Sequence, residues 1–211
     1  MNFLEILYPS FSFLSILISG GLFSLAICKY NGIPFIHPKN SIIKKINSII
    51  PSVTTNCLLY TLVYKYHSQP LLLLNERNIS ALSVIHILEY IAILEFLFYF
   101  YHRLVHIKYL YKWVHAQHHM NIIVYPIDYL DVHIYETLGI MITKNFPLYF
   151  IHLNYSEYVF VYFLYTVGGF LTHSDFSIQF HSFHHKSFKC NYCYLFPIYD
   201  VVFGTANFMI E

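Results

Sequence analysis

Charge is what this sequence has least of. Only 11% of its 211 residues are Asp, Glu, Lys or Arg, against roughly 25% in a typical soluble domain. With 57% hydrophobic residues, the composition argues against an ordinary soluble chain and for one embedded in a membrane. A formal net charge of +1 and the lack of any basic tract remove the electrostatic footprint of a nucleic-acid partner. The four cysteines, Cys28, Cys57, Cys190 and Cys193, form no visible disulfide framework. The last two make a CxxC that could bind metal or cycle its redox state, but no second CxxC accompanies it. There is no HExxH, no flavin or nicotinamide motif and no internal repeat. The opening MNFLEILYPS lacks the basic start of a cleaved signal peptide, so the first apolar run is expected to be retained.

What is present is a series of apolar runs, in a chain of one domain or slightly more. Residues 11–28 are long enough to span a bilayer. The polar stretch 29–48 carries Lys29, Lys39, Lys44 and Lys45 and is predicted to be cytosolic. Residues 49–66 form a weaker span, 68–80 a short loop with one Arg, and 81–101 a third span. Arg103, Lys108 and Lys112 come next, as a return to the cytosol requires. Residues 137–172 are apolar but broken at Lys144, Pro147 and 152–157. A hairpin of two short membrane helices fits, the first short enough to be re-entrant, and it returns the chain to the face it left.

The histidines then fall on one face. His102 and His106 are four apart; His115, His118 and His119 form one HxxHH; His181, His184 and His185 form another. Spacings of three and four share a helix face. An isolated pair is more often an ordinary interfacial pair than a ligand pair, but three sets on one membrane surface point to metal. Eight imidazoles exceed the three that a catalytic zinc needs and suit two metals, with His133 and His173 available to complete the set. Imidazole alone does not choose among Zn, Fe, Cu and Ni. His37, His67, His86 and His152 lie outside the sets and are taken as structural. Glu89 and Glu95 sit within the third span, where ionisable groups are costly and often functional. Glu95 lies two helical turns before His102 and could orient a ligand imidazole, or be a protonated acid bonded to a neighbouring helix.

The order HRLVH, HAQHH, HSFHH resembles the fatty acid hydroxylase/sterol desaturase superfamily of membrane di-iron oxygenases, over roughly residues 95–205. Within it the chain looks most like the C-4 methylsterol oxidases. His133 and Glu136 in HIYETLG match their His and Glu, and Glu95 the acidic residue seven before the first box. His173 in THSDF matches the HSGY element, Asn191 and Tyr192 its NY pair, and Asp200, Gly204 and Thr205 its closing D…GT. Departures are Asp175 and Phe176 for Gly and Tyr, Ile134 for Pro, and Ser182 for Asp.

The resemblance implies an all-α integral membrane protein of about four transmembrane or re-entrant helices with a cytosolic histidine-rich di-metal cap. Residues 1–94 would be the membrane anchor region, with the cytosolic loop 29–48, and residues 95–211 the catalytic part, with the hairpin at about 137–172. It further implies two Fe ions, O2, and electrons from NAD(P)H through a cytochrome b5-type carrier and its reductase. The eight box histidines would be ligands, joined by His133 and His173, with Glu95, Glu136 and Asp200 bracing them. The expected place is the endoplasmic reticulum membrane and the expected reaction oxidation of a sterol C-4 methyl group. Alternatives are a fatty acid hydroxylase, a sterol side-chain hydroxylase or a sterol desaturase. A membrane metal carrier is the alternative of a different class, and it would place its ligands near the bilayer midplane.

Overall fold

A computed structural model describes residues 3–39, 41–73, 78–174, 176 and 180–208. Helices α1 (Phe3–Tyr30), α2 (Ile42–Val63) and α4 (Ala81–Val105) are each long and apolar enough to cross a bilayer, α2 by continuing into a π-turn at Tyr64–Ser68 and the short α3 (Gln69–Leu73). The predicted loop 68–80 is thus partly helical, and its Arg77 lies outside the described residues. No strand occurs among the described residues. A belt of apolar side chains, including Phe11, Leu22 and Phe23 on α1 and Leu82, Leu88 and Phe96 on α4, faces outward, as lipid contact requires.

The bundle's directions are set by its contacts. Phe13 near the start of α1 stacks on Tyr60 near the end of α2, with ring centroids 4.7 Å apart, so these two helices are antiparallel. The predicted hairpin is α6 (Ile134–Asn145), a 3-10 turn at Phe146–Tyr149 that includes Pro147, and α7 (Tyr155–Thr172). Asn154 starts α7: its Oδ1 accepts from Glu157 N at 2.9 Å, and its own N–H donates to Glu157 Oε2 at 2.8 Å. α7 runs parallel to α1. Gly20 permits the close approach, since a Cβ there would sit 2.8 Å from Thr166 Cγ2. α6 runs antiparallel to α4: Tyr101 hydroxyl donates to the Glu136 carbonyl at 3.1 Å, and Tyr90 hydroxyl to that of Lys144.

One end of the bundle therefore collects the C-termini of α1, α4 and α7 and the start of α6. The short α5 (Lys108–Val114), α8 (Phe180–Ser187) and α9 (Ile198–Val202) cap this end. Lys45 belongs to the stretch 29–48 that the sequence places in the cytosol. α2 begins three residues earlier, and Lys45 is buried between Asp128 (2.6 Å) and Asp131 (3.0 Å). It ties the cap to the bundle rather than marking a surface.

Candidate metal centre

Nine histidines converge in the cap as two groups. His102, His106, His115, His119 and His184 form one; His118, His173, His181 and His185 form the other. In each group one nitrogen per residue lies within 4.8 Å of all the others. Helical spacing sorts them. His102 and His106, and His115 and His119, are i, i+4 pairs within the first group; His181 and His185 are such a pair within the second. The i+3 member of each HxxHH crosses over: in α8 because adjacent residues leave an α-helix about 100° apart, and in the first set because the chain leaves α5 at Val114 and His118 begins a 3-10 turn, His118–Met120. The groups abut, with the His119 and His185 rings stacked at 4.3 Å between centroids.

Four rings are aimed from behind. His102 Nδ1 lies 2.8 Å from the Tyr192 carbonyl, His184 Nδ1 2.6 Å from that of Cys190, and His173 Nδ1 2.7 Å from that of Gly169. A carbonyl only accepts, so each Nδ1 carries the proton and each Nε2 offers a lone pair to the centre. His115 Nδ1 meets Glu136 Oε1 at 2.7 Å. Burial lowers His115 to about 3 and pushes Glu136 up to about 8, so the pair shares one proton. A cation at Nε2 favours the form with that proton on Nδ1. The facing nitrogens are close: His102 and His115 Nε2 are 3.0 Å apart, His184 Nε2 is 3.0 Å from His106 and 3.2 Å from His119, and His173 Nε2 is 3.1 Å from His118.

The donor set fits metal. His185 is fully buried and has no hydrogen-bond partner for either nitrogen among the described residues, and Nδ1 of His118, His119 and His181 has none either. Buried groups left so are rare in folded proteins. Neutral imidazoles in two groups of five and four suit two divalent transition metals.

The loop after α8 is the rack for these rings. Phe188 and Asn191 take positive φ, 61° and 60°; Asn tolerates this conformation and bulky Phe seldom does. Asn191 Nδ2 donates to the carbonyls of Phe180 (2.9 Å) and Asn207 (3.0 Å). Two carboxylates then hold four successive amides. Asp200 accepts from Tyr192 N at 2.8 Å and Cys193 N at 2.7 Å; Glu95 accepts from Tyr194 N at 2.9 Å and Leu195 N at 3.0 Å.

Three expectations are corrected by this geometry. Among the described residues Glu95 bonds to no histidine; besides the loop amides it accepts from the Tyr165 hydroxyl on α7 at 2.8 Å, because its side chain turns to the loop rather than along the α4 face. His133 is in neither group. It is the N-cap of α6, and its Nδ1 accepts from Tyr135 N at 3.4 Å. Asp200 acts at one remove, through the Tyr192 amide whose residue's carbonyl anchors His102. The CxxC contributes a backbone carbonyl, that of Cys190, and Cys193 is buried in the rack. In the sequence Asn191 and Tyr192 stood out only through the family resemblance; the anchoring carbonyls of this loop have no side-chain signature.

Two predictions arise here. Glu136→Ala removes the orienting partner of His115, and metal retention after dialysis against a chelator is expected to fall about 10- to 100-fold, with Glu136→Gln much closer to the unchanged protein. Acid is expected to release metal and lower the melting temperature. Burial holds His106 and His115 down to about 3 and His119 and His185 well below the ordinary range. Below about 6.5 the unfolded chain therefore binds protons that the folded one does not, and stability falls with pH from there toward 3. Melting temperature and bound metal tracked from pH 8 to 5 check this.

A narrow cavity of about 30 Å³ opens beside the histidines, lined by Phe98, Tyr129, Val132, Ile140, Thr172 and Tyr194 along with His102, His115, His118, His173, His181 and Glu136. It gives an apolar group access to both sets of rings.

Comparison with known proteins adds to this geometry. The fatty acid hydroxylase family model matches residues 87–205. Protein CER1-like 2 of Arabidopsis thaliana is 26% identical over 136 residues, covering 54% of this chain and 22% of its own length. Very-long-chain aldehyde decarbonylase GL1-5 of Oryza sativa subsp. indica is 27% identical over 136 residues, with the same coverage. Very-long-chain aldehyde decarbonylase GL1-6, from the same source, is 28% identical over 138 residues, 54% of this chain and 21% of that one. The chain thus spans about a fifth of the length of these relatives. No solved structure matches.

Proposed function

The chain belongs to the fatty acid hydroxylase family, and from that premise we propose that it is a membrane di-iron oxygenase that oxidises a C–H bond of a long-chain lipid. The observation that carries this reading is the pair of buried imidazole groups opening onto an apolar cavity. His102, His106, His115, His119 and His184 would hold one iron, and His118, His173, His181 and His185 the other. Two irons supply, when bound, the oxidant for O2-dependent C–H chemistry that side chains alone cannot provide. The chain's own residues orient the rings through the Tyr192, Cys190 and Gly169 carbonyls and Glu136. Phe98, Val132 and Ile140 exclude water and place an apolar group beside the histidines. Electrons come from outside, through a cytochrome b5-type carrier and its reductase fed by NAD(P)H, in keeping with the lack of any nucleotide motif.

A long-chain substrate is favoured by relatives named for very-long-chain aldehydes. The second reading, C-4 methylsterol oxidation, draws on Glu136, which meets His115 at 2.7 Å at the position where the resemblance puts an acidic residue. Purified protein with a reducing system, offered a long-chain fatty acid, a long-chain aldehyde and a C-4 methylsterol separately, decides between them by mass spectrometry of the products. Oxidation of the sterol alone would overturn the acyl reading. A metal carrier is disfavoured by depth: the histidines lie at and beyond the ends of α4 and α7, not midway along them. The site faces the cytosol of the endoplasmic reticulum in this reading, supported by Arg103, Lys108 and Lys112 at the same end.

A further inference from the structure

The lysine inside the membrane bundle has no role in the metal centre. Lys144 is only 5% exposed, although α6 places it among apolar helices. Its Nζ lies over three tyrosine rings, 5.1 Å from the centroid of Tyr194, 5.6 Å from Tyr162 and 5.9 Å from Tyr165. Cation–π contacts of this kind offset part of the cost of removing an ammonium from water. They do not supply a counter-charge. Among the described residues Lys144 forms no ion pair. Glu95, which bonds to Tyr165 and to the Tyr194 amide, makes none with it.

Lys144 also lines a second cavity, of about 40 Å³, between α1, α2, α6 and α7. This cavity and the one beside the histidines share Tyr129, Val132, Ile140 and Tyr194 as walls, so the two adjoin. The lower cavity is mostly apolar, with Phe13, Leu17, Val53 and Met141 in its wall. Its other polar side chains are engaged within the bundle: Asn56 donates to the Ser52 carbonyl at 2.9 Å, Thr166 to that of Tyr162 at 2.8 Å, and Tyr162 hydroxyl accepts from Asn145 at 2.7 Å. Tyr194 and Tyr129, both on the shared wall, interact through their side-chain hydroxyls. Two adjoining, mostly apolar cavities, one with Lys144 and no carboxylate in its wall and the other beside the histidines, suit an apolar chain ending in an anion.

We propose that Lys144 binds the free carboxylate of a long-chain fatty acid, whose chain extends from there toward the histidine groups. Glu136 and Lys144 are eight residues apart on α6, about 12 Å along its axis. An acid end fixed at Lys144 therefore sets which carbon lies beside the histidines, counted from the carboxyl group. The proposal rests on the oxygenase reading for the fate of that carbon, but binding of the acid does not depend on metal.

Competition against a fluorescent fatty acid tests it on the full-length protein in detergent, with palmitic acid, methyl palmitate and hexadecanol as competitors. The acid is expected to displace the probe at a concentration at least tenfold below that of the ester or the alcohol. Lys144→Met should bring the three within about twofold of each other, and Lys144→Arg should keep the preference. Equal displacement by acid and ester in the unmodified protein would overturn the proposal, whether or not the variants fold. So would a folded Lys144→Met protein that still prefers the acid. Metal measured on the same samples separates the two readings: a metal-free protein that retains the acid preference refutes the oxygenase reading and leaves Lys144 as the anchor.

Discussion

Replacing His118 and His119 together with alanine is expected to abolish product formation and leave membrane insertion unchanged. The two residues are neighbours in sequence, yet each serves a different group of imidazoles, so one double substitution removes a donor from both. His119 is also packed against His185, and its Nε2 faces that of His184 at 3.2 Å. The loss should exceed the roughly 10- to 100-fold expected from removing an outer partner of a metal ligand, because the donors themselves are gone. Retained turnover in a correctly inserted variant would sink the assignment of both residues as ligands. Each single variant carries more detail: His119→Ala depletes the group of five and His118→Ala the group of four, and bound metal should fall in each.

Asp200→Ala is expected to have the next largest effect, although Asp200 touches no histidine. Its carboxylate accepts from the amides of Tyr192 and Cys193 and from the Thr205 hydroxyl at 2.7 Å. Alanine leaves those buried donors unmatched, at about 1–3 kcal/mol for each. The Tyr192 carbonyl that fixes His102 and the Cys190 carbonyl that fixes His184 belong to the same loop. The variant should therefore unfold at lower temperature and lose metal, the group of five being affected first. Asp200→Asn keeps one acceptor oxygen and should fall between. A stable Asp200→Ala protein with full metal content would show that the loop does not depend on this brace.

Much of the arrangement was legible in the sequence, for physical reasons. Three long apolar stretches announced three helices of spanning length, and the breaks at Lys144, Pro147 and Glu157 announced the shorter pair α6 and α7. Because a hairpin returns the chain to the face it left, the three histidine sets were expected on one membrane surface. What was not legible was how the sets divide. A shared helix face suggested that each HxxHH acts as a unit, whereas the 100° between adjacent residues of α8 sends His184 to the opposite group from His185, and the 3-10 turn at His118–Met120 separates His118 from His119. Face-sharing also misplaced Glu95: lying on the side of α4 that leads to His102 does not fix which way a carboxylate turns, and two loop amides attract it. His133 was misjudged by its match to a motif, since an N-cap position engages the imidazole in starting α6. The pairing of Lys45 with Asp128 and Asp131, more than eighty residues away, was likewise beyond reading from sequence alone.

The most direct test of the di-iron centre is the metal content of freshly purified, well-folded protein by elemental analysis, beside the His118/His119 double variant. About two irons per chain are expected in the unmodified protein, and their loss in the variant. A well-folded protein with no stoichiometric metal, or one whose metal is unchanged by removal of His118 and His119, would contradict the assignment.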